Sequence, residues 1–237
     1  MASRPGGEMA SRPLHFIFLC DASGSMSVNG KIEALNAAIR EAIPKMQEVA
    51  KENVHAQVFV RAIKFADRPE WHIGVPVKVE DLVWTDLAAG GLTALGSALE
   101  LAADQLKVSV MPERGLPPVL VLITDGEPTD DFRNGLRRLF AEPWGKHAVR
   151  IAIAIGEEAK LSVLEEFIAD PEIKPLLARN ADQLHGYIRW ASTVVLQAAS
   201  SPPSVTRTAA PAGGPAVHVP IAAPAPPAGP STAAEVW

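Results

Sequence analysis

Asp21, Ser23 and Ser25 stand at alternate positions directly after an apolar run, in the stretch LHFIFLCDASGSM that spans 14–26. One carboxylate and two hydroxyls, with no thiolate or imidazole among them, are ligands for a hard cation such as Mg²⁺. An unbroken apolar run is the mark of a strand buried on both faces. The three oxygens therefore fall at a strand's carboxyl end, where open α/β sheets bind ligands. A second run, VLVLITDGEPTDD, puts Asp125 at another strand end, before a turn at Gly126 and Pro128. Between the two, in GGLTALGSALELAADQL, Gly90 and Gly91 permit a tight loop and Thr93 adds a third hydroxyl at a helix start. Each fragment taken singly also suits a local role: an N-cap or Asx-turn at Asp21, Ser23 and Ser25, a turn at Asp125, a cap at Thr93.

The elements that must position these residues alternate strand and helix, as a doubly wound, mostly parallel α/β sheet requires. The first strand, 14–20, leads to a helix near 30–51 in which Ile32, Leu35, Ala38, Ile39, Ala42 and Met46 recur at helical spacing, with Pro44 expected to kink it. A second strand is expected around 55–65. WHIGVPVKV, around 71–79, alternates and carries Pro76, which favours an edge strand. The helix after Thr93 carries Leu95, Ala98, Leu99, Ala102 and Leu106 on one face. It is followed by a strand at 118–124, a helix around 130–141, the strand AVRIAIAIG, a helix around 160–169 and a short strand near 175–178. The last helix opens at Asn180, with Gln183 as a capping-box variant, and shows Leu184, Tyr187, Ile188, Ala191, Val194 and Val195 as its core face.

The order D-x-S-x-S, loop Thr, strand-end T-D-G resembles the metal-ion-dependent adhesion site (MIDAS) of von Willebrand factor type A (VWA) domains. That resemblance implies a three-layer, Rossmann-like α/β fold with an antiparallel edge strand. It also implies one divalent cation, Mg²⁺ or Mn²⁺, held partly through water by Asp21, Ser23, Ser25, Thr93 and Asp125, with a partner's Asp or Glu completing the shell. The strings D-x-S-G-S-M, T-A-L-G-x-A-L-E-L and T-D-G-E-P-T-D-D, with the late GYIRWAST, are similar to small bacterial tellurium-resistance proteins of the TerY type. Such proteins occur in stress or resistance systems beside a protein kinase and a PP2C-type phosphatase. The resemblance covers about 14–197. One departure is visible: the family reads G-G-T where Leu92 here separates Gly91 from Thr93. Because Leu resists a positive φ, the loop is expected to turn at Gly90 and Gly91.

Composition divides the chain into a leader (1–13), one α/β domain (14–200) and a Pro/Ala-rich tail (201–237) expected to be extended. The leader repeats MASRP at 1–5 and 9–13, and translation from Met9 is an alternative start. With 48% hydrophobic and 21% charged residues, a substantial core can form. A net charge of −5 disfavours nucleic acid as a partner. The single cysteine, Cys20, has no internal partner for a disulfide, and its position in the first strand points to packing. No apolar stretch is long enough to span a membrane and no signal-peptide core is seen, so a cytoplasmic location is expected.

Enzyme signatures are absent: there is no G-x-S-x-G, no phosphate loop, no G-x-G-x-x-G and no H-E-x-x-H. None of the histidines falls in the site loops. Glu127, Asp130 and Asp131 could activate a metal-bound water in principle, but they are expected to shape an acidic rim or cap the helix that follows. A metal-dependent protein-binding module is therefore the expectation. A metal-dependent hydrolase or phosphatase at the same site is the alternative, and a domain that has lost its metal is a third.

Overall fold

The computed structural model describes residues 11–53, 55–200 and 224. The expected tail, Pro224 apart, and most of the expected leader lie outside the described residues. Strand β1 (Arg12–Asp21) is buried from Leu14 to its end. It starts at Arg12, inside the segment read as a leader, because Arg12 and Pro13 pair with Ala56 and Gln57 of the next strand. A short 3₁₀ turn (Gly24–Gly30) then leads into helix α1 (Lys31–Glu52), which runs through Pro44 without ending.

Strands β2 (Ala56–Phe65) and β3 (Pro69–Lys78) form an antiparallel pair. Helix α2 (Leu95–Gln105), β4 (Val119–Thr124), α3 (Phe132–Ala141), the short α4 (Pro143–His147), β5 (Val149–Ile155), α5 (Leu161–Ile168) and β6 (Leu176–Ala178) follow. Helix α6 (Ala181–Trp190) continues through a π-helical turn (Ala191–Val195) into Leu196–Ser200.

The sheet order is β3-β2-β1-β4-β5-β6, parallel except for β3 at one edge. This is the expected α/β arrangement, with the Pro76 strand at the edge. Side chains of β1 alternate between two cores: Leu14, Phe16, Phe18 and Cys20 join α1 and α6 on one face, while Ile17 and Leu19 join α2, α3 and α5 on the other. The strand order reverses between β1 and β4. Their carboxyl ends flank a crevice there, the position at which open sheets bind ligands.

The last helix departs from its expected face. Val194 is 43% exposed, whereas Ala191 and Val195 are buried. The π-helical turn widens the helical period at that point, so a face counted at 3.6 residues per turn does not carry through.

Candidate metal centre

Asp21 closes β1 and Asp125 directly follows β4, so two carboxylates from distant parts of the chain meet at the crevice. Both are fully buried. The Asp21 Oδ1 accepts from the Ser23 N–H at 2.8 Å, which is an Asx-turn, and its Oδ2 accepts from the Thr124 hydroxyl at 2.5 Å. The local turn and the crevice position therefore coexist. The Ser23 and Ser25 hydroxyls lie 3.0 Å apart, and Ser25 donates to Asp125 Oδ1 at 2.7 Å across a hundred residues of sequence. Burial raises the Asp21 carboxyl above the usual carboxylate range, its hydrogen bonds from Thr124 and Ser23 oppose this, and the Asp125 charge adds to it. Burial, then the Asp21 charge, pushes the Cys20 thiol up as well, so this fully buried cysteine packs and stays protonated.

Thr93 is held in place by its backbone. Its N–H donates to the Thr129 hydroxyl at 3.1 Å and its carbonyl accepts from the Thr129 and Leu95 N–H groups. Helix α2 starts two residues later and Thr93 does not cap it. Its Oγ1 has no hydrogen-bond partner among the described residues. A Cβ at Gly126 would sit 3.7 Å from that Oγ1 and 4.0 Å from Ser25 Oγ, so the two hydroxyls border the same space.

The glycine loop seats Thr93. The Gly24 N–H donates to the Gly91 carbonyl and the Gly90 N–H to the Ala22 carbonyl, lashing the loop to the D-x-S-x-S segment. The positive φ falls on Gly91 alone of the pair, at +85°, and a Cβ there would meet the Asp67 carboxylate at 2.7 Å. Leu92 stays out of the left-handed region, is exposed, and donates its N–H to Asp67 Oδ1. The extra residue is thus accommodated without strain.

Three roles were not legible beforehand. Asp130 does not cap the helix that follows it. It caps α2, accepting from the Gly96 N–H, the Ser97 N–H and the Ser97 hydroxyl at 2.7–2.8 Å, while Asp131 caps α3 through the Asn134 N–H. Glu127, exposed on the rim, pairs with Lys160. Lys31, in the first turn of α1, places its ammonium 2.8 Å from Asp125 Oδ2. A lysine where the helix dipole prefers an acid was the one available signal for that contact.

Among the described residues, no three or more His, Cys, Asp or Glu side chains are grouped so as to hold a metal ion between them. Two carboxylates, the hydroxyls of Ser23 and Ser25, and the unpartnered Thr93 hydroxyl nevertheless form one all-oxygen donor set. That chemistry suits a hard divalent cation and poorly suits a soft one.

Residues 16–187 match the family described as von Willebrand factor type A domain. No curated protein matches the sequence. Among solved structures, the fold is similar to von Willebrand factor type A from Catenulispora acidiphila, at 18% identity and a TM-score of 0.59, covering 81% of this chain and 43% of that one. The ArnB paralog VWA2 from Sulfolobus acidocaldarius aligns at 18% identity and a TM-score of 0.56, over 74% of this chain and 44% of that one. Proximal thread matrix protein 1 from the mussel byssus, solved with a zinc-occupied MIDAS motif, aligns at 17% identity and a TM-score of 0.56, over 80% of this chain and 47% of that one. The chain thus spans less than half the length of these structural relatives.

Proposed function

Because the chain belongs to the von Willebrand factor type A domain family, we propose that it is a protein-binding module in which Asp21, Ser23, Ser25, Thr93 and Asp125 hold one divalent cation, Mg²⁺ or Mn²⁺. The observation that carries this reading is the connected set Ser23–Ser25–Asp125, beside Asp21 and an unpartnered Thr93 hydroxyl, at the switch point of the sheet. The zinc in the MIDAS of the mussel byssus protein supports a divalent cation at the corresponding place.

When bound, the cation would supply an electrophilic centre for a partner's Asp or Glu carboxylate. The chain's own part is to hold the oxygens together at the switch point of the sheet. Hydroxyls from Ser23, Ser25 and Thr93 add donor oxygen without adding negative charge, so the site keeps attraction for an incoming carboxylate. Glu127 and Lys160, exposed on the rim, would meet the partner. Of the three acids that could serve a hydrolase as general base, Asp130 and Asp131 are committed to helix caps and Glu127 to Lys160. This favours binding over hydrolysis.

The strings shared with TerY-type proteins support a bacterial stress or resistance setting in the cytoplasm, with a protein kinase or a PP2C-type phosphatase as partner. No helix among the described residues is long and apolar enough to cross a membrane.

Calorimetric titration with Mg²⁺ and Mn²⁺ tests the site. Asp21→Ala and Asp125→Ala are each expected to abolish binding, and Ser25→Ala to weaken it. Unchanged affinity in both aspartate variants would remove the site. Partner capture from the native cell is expected to be lost in EDTA and retained with Mg²⁺. A complex that survives saturating EDTA at full affinity would overturn the shared-carboxylate mechanism, and Mg²⁺-dependent phosphoester hydrolysis destroyed by Asp21→Ala would replace it with the enzyme reading.

A further inference from the structure

Lys31 is 4% exposed, yet it carries an ammonium group. Removing such a group from water is costly unless it is paired. Among the described residues its Nζ makes one hydrogen bond, 2.8 Å to Asp125 Oδ2, while Ser25 takes the other oxygen of the same carboxylate at 2.7 Å. The placement also opposes the helix dipole, since Lys31 opens α1. Two consecutive left-handed residues, Asn29 at φ +54° and Gly30 at φ +70°, set the start of that helix beside the crevice. The chain therefore accepts a dipole penalty and a desolvated lysine to place a positive charge against one proposed ligand.

We propose that Lys31 is a resident counter-charge for Asp125, one that keeps the site assembled without a cation and lowers its affinity when a cation arrives. This rests on the reading that Asp21 and Asp125 belong to a cation site. Two carboxylates in a buried crevice repel, and Lys31 offsets half of their formal charge. With a divalent cation added, the same lysine leaves the centre with a net charge of plus one in place of zero. Lys31 thus trades cation affinity for attraction to a partner carboxylate, and makes loading responsive to the divalent concentration.

The test is a Mn²⁺ titration and a thermal melt, in EDTA and in saturating Mn²⁺, of the wild type, Lys31→Met and Lys31→Arg. Lys31→Met is expected to bind Mn²⁺ on the order of tenfold more tightly, to melt lower in EDTA, and to gain more from Mn²⁺ than the wild type does. Lys31→Arg, which keeps the charge, is expected to stay near the wild type. If Lys31→Met folds under neither condition, Lys31→Gln is judged by the same criteria. Wild-type binding that Lys31→Met leaves unchanged or weakens would overturn this inference and leave the cation site standing. Binding by neither protein would overturn both. Binding by Lys31→Met alone would support the inference in its strongest form.

Discussion

At the scale of single residues, His15 is a buried titratable group on β1, six residues before Asp21. It is 8% exposed and stacks on Phe59 with ring centroids 5.7 Å apart. Burial, aided by the Arg61 charge, lowers its pKa from 6.5 to about 4. The folded state therefore holds His15 neutral, while the unfolded chain takes up a proton near pH 6.5. Stability from this source is fully present above that pH and is lost as the pH falls toward 4. The loss by pH 5 is about 2 kcal/mol. His15→Phe, which keeps the stacked ring, is expected to remove that loss, read as a smaller drop in the urea midpoint between pH 7 and pH 5. Asp21, raised by its own burial, works in the opposite direction in acid and is untouched by this variant. Of the residues in the crevice, Asp21 and Asp125 were legible because a polar residue ending an apolar strand is conspicuous, Ser23 and Ser25 because they alternate with Asp21, and Thr93 because it stands between a glycine pair and an apolar helix face. Lys31 and Thr124 were not, because their partners lie on other elements and no local spacing encodes such a contact.

At the scale of elements, α2 and α3 cross closely enough to leave no room for side chains at two positions. A Cβ at Gly135 would lie 2.1 Å from the Gly96 carbonyl oxygen, and one at Gly96 would lie 2.5 Å from the Asp131 carbonyl oxygen. Gly135→Ala is expected to destabilise the fold by about 1–3 kcal/mol, as overpacking does. It should also weaken cation binding, because the segment between α2 and α3 carries Thr129, which fixes Thr93. Gly90→Ala is the contrast: nothing lies within 4 Å of its Cβ position, and its melting temperature should match the wild type's. The strands were readable from apolar runs, and Pro76 marked the edge strand correctly. The short α4 and the π-helical turn were not, since both are set by packing, the first against Leu139, whose carbonyl oxygen would lie 2.0 Å from a Cβ at Gly145.

At the scale of the whole molecule, two apolar clusters close the sheet on both faces using residues between Leu14 and Ala199. From its Pro/Ala-rich composition, deleting 201–237 is expected to leave the melting temperature unchanged, and a clear drop in a thermal melt would show that the tail packs on the domain. The strand order also has a consequence for how the chain is made. Strand β1 lies inside the sheet, but its second neighbour, β4, is synthesised about a hundred residues later, after β2, β3 and α2. Until then the nascent chain can assemble only the β3-β2-β1 half, whose inner border is an apolar strand with unmet amide and carbonyl groups, the kind of edge that recruits foreign strands. The order in which the ribosome delivers these segments thus makes the middle of the finished sheet the most vulnerable border of the unfinished one.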